Sequence, residues 1–155
     1  FFELNYKKAA FFDEIMEVVC PIFERPYSKL IEIQMDTVFL MRELFGIKTE
    51  IIYQSRLQYD RENKKSGLIQ AICSAVGTDI YLSGNGARKY MDVPEFKKAG
   101  IEVVYQDFTY PVYRQFDLEG FVPNLSALDI LFHLGAEEAK CIFWENVRKG
   151  KEFQR

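Results

Sequence analysis

The sequence predicts an α/β fold in which a parallel sheet of at least three strands is flanked by helices. One unit occurs three times along the chain: an amphipathic segment, then a glycine, then a run rich in β-branched residues. Glycine after a helix supplies the left-handed residue that ends it, and strands separated by helices run parallel through right-handed crossovers. The predicted strands are Ile47–Tyr53, Thr78–Leu82 and Ile101–Tyr105. Such a sheet is open and Rossmann-like.

The helices that flank this sheet are predicted from apolar side chains at helical spacing. Three segments carry such a stripe: Asn5–Val19, Ser28–Phe45 and Arg61–Val76. Asp92 stands before a proline and a glutamate in the pattern of a helix start, so a short helix is expected to run from it to Ala99. Helices and strands therefore alternate, as an α/β fold requires.

The C-terminal part of the sequence predicts two helices and no further strand. Ser126 and Asp129 form a capping-box pattern, in which a serine and an acidic residue three positions later begin a helix. Gly135 is predicted to end that helix, and Ala136–Arg148 to form the last one. The sequence contains no linker and no low-complexity tract, so residues 1–155 are predicted to form a single domain.

Composition narrows the function classes. The chain has 155 residues, of which 48% are hydrophobic and 28% are charged, a profile that fits one globular domain with a sizeable core. A net charge of -3 and a pI of about 5.3 argue against a nucleic-acid partner. No apolar run approaches the roughly 18 residues of a membrane span, and no signal peptide is visible. Three widely spaced cysteines without a C-x-x-C pair fit reduced thiols in a cytoplasmic protein.

Polar residues follow the predicted strands, at the edge where open parallel sheets bind ligands. Ser83, Gly84 and Gly86 lie between the second strand and a helical segment, where backbone N–H groups can hold a phosphate or a carboxylate. The alternative is a tight turn in which the glycines take positive φ. Gln106 and Asp107 follow the third strand and are predicted to lie at the same edge.

Residues 106–124 are predicted to form a long loop, because prolines interrupt any period and aromatic side chains crowd together. Loops of this length are usually functional in a compact domain. Tyr113 is one of several rings that would stack on a sugar or a nucleobase, and Gln115 would hydrogen-bond to the same ligand. A hydrophobic flap packed on the sheet is the alternative.

Three residues of the helix predicted to begin at Ser126 are candidates for a catalytic role. Ser126 and Asp129 have the types of a nucleophile and a base, but a capping box explains the same pair. Asp129 stands beside apolar leucines, so we expect it to be partly buried and to hold a ligand amine. His133 is the only histidine, and it is either an acid–base group or a residue favoured near a helix C-terminus. One histidine cannot form a histidine metal cluster, and no cofactor is indicated.

An ordered set of motifs runs through the second half of the chain. It consists of Tyr81-Leu82-Ser83-Gly84, Tyr105-Gln106-Asp107-Phe108, Phe121-Val122-Pro123-Asn124-Leu125-Ser126, Asp129-Ile130-Leu131-Phe132 and Gly135. Tyr6-Lys7-Lys8-Ala9 fits the same pattern upstream. With these motifs the chain resembles the WbqC-like protein family over the C-terminal two-thirds of the family pattern. The family's N-terminal segment, with a Gln-Pro-aromatic stretch and an Asn-Arg motif, does not occur before Tyr6.

The resemblance implies a role in bacterial O-antigen or other surface-polysaccharide biosynthesis, with transfer of a glycyl or acyl group to an amino sugar. It implies a turn from Ser83 to Gly86 near a phosphate, and Asp129 or His133 taking the proton of the amine. The alternative is a non-catalytic sugar- or nucleotide-binding module, or a structural fragment. The expected partner is a nucleotide sugar or amino sugar. We also expect an exposed apolar face or sheet edge where the absent N-terminal part would dock, covered in a homodimer by a second copy of the chain.

The strand-end rule predicts that five separated residues line one concavity. These residues are Ser83, Gly84, Gln106, Gln115 and Asp129, which meet if the aromatic loop folds back over the strand ends. The same reasoning expects Gln115→Ala to weaken ligand binding while changing stability by no more than about 0.5 kcal/mol.

Overall fold

In the computed structural model, which describes residues 1–106, 108–116 and 120–152, the chain forms two compact units. Phe1–Thr49 and Phe108–Arg155 form unit 1, and Glu50–Asp107 forms unit 2. Asp107 of the predicted sheet edge and residues 117–119 of the predicted loop lie outside the described residues. The single domain stays a prediction. Over the described ranges, no helix is long and apolar enough to cross a membrane.

The described residues are mostly helical. In chain order the helices are α1 (Phe2–Tyr6), α2 (Phe12–Glu24), α3 (Leu30–Leu44), α4 (Ser66–Val76), α5 (Val93–Lys98) and α6 (Ala127–Glu152), and the strands are β1 (Ile80–Ser83) and β2 (Glu102–Tyr105). Helices α1, α2, α3 and α6 belong to unit 1, and the other elements belong to unit 2. The helices predicted at Ser28–Phe45 and Arg61–Val76 correspond to α3 and α4. The one predicted at Asn5–Val19 is divided between α1 and α2 by a turn.

The core of unit 1 lies between α2 and α6. Ile15 and Val19, one turn apart on α2, are fully buried, and Phe132 of α6 packs in the same cluster. The ring of Phe132 stacks on those of Tyr6 and Phe12, with centroid distances of 4.7 and 5.7 Å. Burial of each such side chain contributes about 1.5–3 kcal/mol. This packing holds the first half of α6, which carries the candidate site, against α1 and α2.

Helix α6 changes direction at Gly135, where the sequence predicts a helix end. The backbone there has a φ of 77° and a ψ of 170°, far from helical values. A β-carbon at this position would lie 2.7 Å from Cδ1 of Phe11. The backbone conformation and the close approach of the ring both require glycine. The predicted division of the C-terminal part into two helices is confirmed.

Two of the predicted strands pair in unit 2. Strands β1 and β2 are parallel, with Ile80 opposite Glu102 and Ser83 opposite Tyr105. One face of the sheet packs on a buried cluster of Cys73, Phe96 and Ile101. The strands predicted at positions 78–82 and 101–105 are confirmed within two residues.

Helix α5 connects these strands and begins where the sequence predicts. The carboxylate of Asp92 accepts the backbone N–H of Glu95 at 3.2 Å, which is the hydrogen bond of an N-cap. Phe96 is fully buried, and its ring stacks on Tyr81 of β1 with a centroid distance of 5.7 Å. The cap starts α5, and the ring contact fixes α5 on the sheet.

The fold class predicted from the sequence is wrong. The described residues contain one two-stranded parallel sheet, so the fold is not a Rossmann-like open sheet of three or more strands. The segment predicted as the first strand, Ile47–Tyr53, leads into a 3₁₀ turn at Gln54–Arg56 and belongs to no described sheet. Its residues 48–50 are exposed, and 49% of Ile52 is exposed as well. β-branched residues favour a strand only where it can pair and bury one face, whereas this segment passes from unit 1 to unit 2.

Two apolar side chains on the second face of the two-stranded sheet are exposed. Ile80 and Leu82, which alternate with the inward-facing residues of β1, are 52% and 64% exposed. Parallel sheets usually have both faces covered by other elements. The predicted docking face and the homodimer that would cover it both stay predictions.

Candidate functional site

A buried carboxylate, that of Asp129, lies at the centre of the candidate site in unit 1. Asp129 stands in the first turn of α6, and only 2% of it is exposed. Its Oδ2 accepts the hydroxyl of Tyr113 at 2.6 Å and the side-chain amide of Gln115 at 2.9 Å. Tyr6 lies close enough to this carboxylate for its charge to raise the pKa of the tyrosine. Burying a carboxylate is costly unless donors compensate it, and two donors contact this one.

Ser126 positions Asp129 by capping α6. Its Oγ accepts the N–H of Leu128 at 3.3 Å, and its carbonyl oxygen accepts the N–H of Asp129 at 2.8 Å. In a full capping box the acidic side chain reaches back to the N–H of the capping residue. The hydrogen bonds of the Asp129 carboxylate go instead to Tyr113 and Gln115. Ser126 therefore caps the helix, while Asp129 is directed into the unit.

Burial and the neighbouring carboxylate raise the pKa of two tyrosines. The pKa of Tyr6 is raised to about 12, first by burial and then by the hydrogen bond and charge of Asp129. The pKa of Tyr113 is raised as well, by the same causes in the same order. Since the ordinary tyrosine pKa is near 10, both hydroxyls keep their protons at neutral pH, and the hydroxyl of Tyr113 donates to Asp129.

His133 lies one turn along α6 from Asp129. Its Nε2 is 3.7 Å from Oδ1 of Asp129, and its side chain is 7% exposed. The rings of Phe116 and Tyr6 contact the imidazole edge-on, with centroid distances of 4.5 and 6.2 Å. His133 also stands two residues before Gly135, where the first half of α6 ends. Both interpretations of this histidine, as an acid–base group and as a residue near a helix end, therefore have a structural basis.

A cavity of about 370 Å³, the polar pocket, opens beside this pair. It is lined by Lys8, Ala9, Ala10, Arg114, Gln115, Phe116, His133 and Leu134. Lys8 brings positive charge to its wall. Gln115 and His133 bring hydrogen-bonding groups that also contact Asp129. The polar pocket therefore suits a polar ligand that carries an anionic group.

Gln115 is held in place by the backbone of the loop. Its Oε1 accepts the N–H of Val122 at 2.8 Å, and its Nε2 donates to the carbonyl of Val122 at 3.0 Å as well as to Asp129. The side chain thus ties both arms of the loop to the buried carboxylate. The sequence predicts only a ligand-binding role for Gln115, whereas these contacts make it a structural residue of the loop.

A second cavity in unit 1, the aromatic pocket, has a volume of about 190 Å³. It is lined by Phe45, Phe108, Tyr110, Pro111, Tyr113, Phe121, Asn124, Leu125, Ser126, Ala127, Ile130 and Phe143. Asn124 has a φ of 62°, a left-handed conformation that asparagine tolerates better than most residues. Tyr113 lines the pocket, and its hydroxyl contacts Asp129. Tyr113 therefore joins the aromatic pocket to the buried carboxylate.

The remaining predicted site residues lie around the strand ends of unit 2. The N–H of Gln106 donates to the carbonyl of Ser83 at 2.8 Å, and the side-chain amide of Asn85 donates to the carbonyl of Gln106 at 2.7 Å. Ser83 is buried, and its hydroxyl donates to the carbonyl of Gly84 at 3.4 Å. Gly84 has a φ of −69°, so the turn does not depend on positive φ at this residue. Gly86 lies in the 3₁₀ turn that follows.

The predicted site residues fall into two groups. Unit 1 holds Tyr113, Gln115, Ser126, Asp129 and His133, and unit 2 holds Ser83, Gly84, Gly86 and Gln106. The convergence of the two groups on one concavity stays a prediction. Sequence reasoning missed Tyr6 and Lys8 as site residues, although both belong to the Tyr6-Lys7-Lys8-Ala9 motif that fits the family pattern.

The described residues offer few ligands for a metal ion. Among them, no group of three or more His, Cys, Asp and Glu side chains could hold one. Cys20, Cys73 and Cys141 are free thiols. The Asp129 and His133 side chains come together as a pair.

Comparison with known proteins gives matches over most of the chain. A family model described as the WbqC-like protein family matches residues 1–141. Among curated proteins, the uncharacterized protein Rv1507c of Mycobacterium tuberculosis (strain ATCC 25618 / H37Rv) is 31% identical over 137 residues, which is 87% of this chain and 58% of that protein. The chain thus spans less than two-thirds of the length of that relative. No solved structure gives a significant match to the chain.

Proposed function

We propose, since the chain belongs to the WbqC-like protein family, that it takes part in bacterial surface-polysaccharide (O-antigen) biosynthesis by transferring a glycyl or acyl group to an amino sugar. The observation that carries this proposal is the pair of Asp129 and His133 beside the polar pocket. An amine that attacks a carbonyl carbon must lose a proton, and a histidine next to a carboxylate is suited to take it. We place the reaction in the cytoplasm, where free thiols stay reduced.

In the proposed step His133 acts as the general base. The amine nitrogen of the sugar attacks the carbonyl carbon of the donor, a carbon–nitrogen bond forms, and the bond to the donor's leaving group breaks. The amine proton passes to the imidazole and from there to the leaving group. Asp129 orients the imidazole and compensates the charge that it gains, as the acid of a catalytic triad does. The distance of 3.7 Å between Nε2 and Oδ1 shortens on substrate binding, as catalytic hydrogen bonds often do.

The two carboxylate oxygens of Asp129 have different roles in this proposal. Oδ2 accepts hydrogen bonds from Tyr113 and Gln115, so these two residues hold the carboxylate from one side. Oδ1 faces the imidazole of His133. An oriented carboxylate on a rigid helix keeps the base in place without needing to move during the reaction.

The charge of the polar pocket suggests the class of sugar substrate. Lys8 lines the pocket together with His133. Cationic side chains form strong, charge-assisted hydrogen bonds with phosphate oxygens. A nucleotide-linked amino sugar, which carries phosphates as well as an amine, is therefore the acceptor we propose.

A non-catalytic sugar- or nucleotide-binding module is the second candidate function. It is favoured by the burial of Asp129, which is 2% exposed and hydrogen-bonded to tyrosine and glutamine side chains. These contacts also suit a carboxylate whose role is to anchor the loop. A binding module would hold its ligand with the donors of the polar pocket and transfer no proton.

Transfer activity of the complete protein distinguishes the two candidates. The assay combines nucleotide-linked amino sugars with aminoacyl or acyl donors and detects the product by mass spectrometry. For a catalyst we expect Asp129→Asn to lower kcat by about 10²-fold or more, because asparagine cannot compensate the imidazolium charge. Glu138→Gln is the matched control, since it removes one carboxylate from an exposed position of the same helix, and it should keep the parent kcat. Product formation by Asp129→Asn at the parent rate would contradict the catalytic role.

A further inference from the structure

The wall of the aromatic pocket is almost entirely hydrocarbon. Six of its lining residues carry aromatic rings: Phe45, Phe108, Tyr110, Tyr113, Phe121 and Phe143. Aliphatic side chains, among them Leu125 and Ile130, complete the wall. A surface of this kind favours a ligand that is itself apolar, because burial of apolar area is the main gain on binding.

Two of the polar groups on this wall are already engaged in other contacts. Oγ of Ser126 accepts the N–H of Leu128 in the cap of α6, and the hydroxyl of Tyr113 donates to Asp129. A sugar ring placed in this pocket would bury several hydroxyls, and each one without a partner would lower its affinity. A hydrocarbon group has no such requirement. The polarity of the wall therefore favours a hydrocarbon group over a sugar ring.

The volume of the aromatic pocket limits the size of that group. Apolar cavities of about 150 Å³ are known to hold a benzene ring. A cavity of about 190 Å³ therefore has room for about six carbon atoms. A long lipid chain would exceed it.

Tyr113 links this pocket to the candidate site. It lines the aromatic pocket, and its hydroxyl lies 2.6 Å from the Asp129 carboxylate. We propose that the aromatic pocket binds the hydrocarbon part of a short acyl group of about four to six carbons. This inference rests on the proposed function in one respect: it identifies the transferred group as an acyl chain rather than a glycyl group, which has almost no hydrocarbon to bury.

The inference is tested by the binding of straight-chain alkanoates, from acetate to octanoate, to the full chain. The carboxylate of each alkanoate stands for the acyl carbonyl. Binding is followed by the fluorescence of Trp144, the only tryptophan, which contacts the ring of Phe143 at 5.3 Å and the carbonyl of Phe45 at 2.8 Å. We expect affinity to rise about fourfold with each added methylene and to level off at about six carbons. Affinity that does not change with chain length overturns the inference, as does tighter binding of N-acetylglucosamine than of hexanoate.

Ala127→Leu locates the binding of alkanoates. Ala127 lines the aromatic pocket at an exposed position of α6, so a larger side chain narrows the cavity while the fold is kept. We expect hexanoate affinity to fall at least about tenfold. The matched control is Ala75→Leu, the same change at an exposed position of α4 in unit 2, which should bind hexanoate like the parent. Should Ala127→Leu fail to fold, the NMR spectrum of the parent protein locates the binding instead. Chemical-shift changes on adding hexanoate that are confined to residues of the aromatic pocket support the inference, and changes elsewhere overturn it.

The inference and the proposed function fail in different ways. Glycyl transfer by the complete protein, together with alkanoates that do not bind, overturns the inference and leaves the proposed function standing. Alkanoate binding that depends on chain length, together with no transfer to any amino sugar, supports the inference about the pocket and contradicts the proposed function.

Discussion

Gly135→Ala is expected to destabilise the protein strongly, because two separate costs meet at this position. The backbone has a φ of 77° and a ψ of 170°, a region that is essentially restricted to glycine, and alanine there costs about 1–3 kcal/mol. The added Cβ would lie 2.7 Å from Cδ1 of Phe11, and such overpacking costs a further amount of about 1–3 kcal/mol. Rotation of the ring about its own axis does not remove this contact, since Cγ of Phe11 would also lie 3.1 Å from the added Cβ. The sum, about 2–6 kcal/mol, is a large part of the roughly 5–15 kcal/mol that stabilises a typical domain.

Urea denaturation followed by circular dichroism measures this effect. Gly67→Ala is the matched control, because Gly67 lies inside α4 and its new Cβ would come no closer than 3.5 Å to Asn63. We expect that variant to be about 0.5–1 kcal/mol more stable than the parent. Adding Phe11→Leu to Gly135→Ala should recover the overpacking cost but not the backbone cost. A Gly135→Ala protein within about 0.5 kcal/mol of the parent would refute the reasoning.

Three further substitutions test the polar contacts and the α5 cap. Gln115→Ala removes hydrogen bonds to Asp129 and Val122, so we expect the free energy of unfolding in urea to fall by about 2–4 kcal/mol. No measurable loss would contradict the structural role of Gln115 in the loop. Because the pKa of Tyr6 is raised in the folded state, its protonated hydroxyl contributes stability that is fully present below pH 10 and is lost as the pH rises through about 12. Tyr6→Phe should therefore flatten the alkaline loss of stability that urea titrations measure between these pH values. A parent-like pH profile would contradict this. Asp92→Ala removes the N-cap of α5 and should cost about 1 kcal/mol by thermal melting, whereas Asp79→Ala, at an exposed position outside any helix, should cost less.

The helix ends could be predicted because their signals are local. Gly77 and Gly135 have φ values of 69° and 77°, so each glycine was a reliable mark of a helix end. Asp92 likewise caps α5 with a residue three positions away. Each of these signals depends on neighbours in the sequence, and the backbone conformation follows from them.

The number of strands could not be predicted in the same way. Ile47–Tyr53 has the β-branched composition of a strand, as do the segments that became β1 and β2. A strand also needs a neighbour to pair with, and that neighbour is a tertiary property that composition does not contain. The segment passes between the two units instead, and the sheet keeps two strands.

The candidate site was predicted residue by residue but not as a network. The leucines around Asp129 indicated its burial, which the structure confirms at 2% exposure. Its donors, Tyr113 and Gln115, are distant from it in the sequence and meet it only after the loop folds onto α6. The sequence predicts a stability change of no more than about 0.5 kcal/mol for Gln115→Ala, because nothing local indicates that the Gln115 amide pairs with the Val122 backbone.

Steady-state transfer by the complete protein carrying His133→Gln is the most direct test of the claim that His133 takes the amine proton. Glutamine keeps a hydrogen-bonding side chain beside Asp129 but cannot accept a proton at neutral pH. We expect kcat and kcat/KM for the nucleotide-linked amino sugar to fall together by about 10²-fold or more, with KM little changed. A His133→Gln protein that transfers the glycyl or acyl group with the parent kcat would contradict the role of His133 as the base.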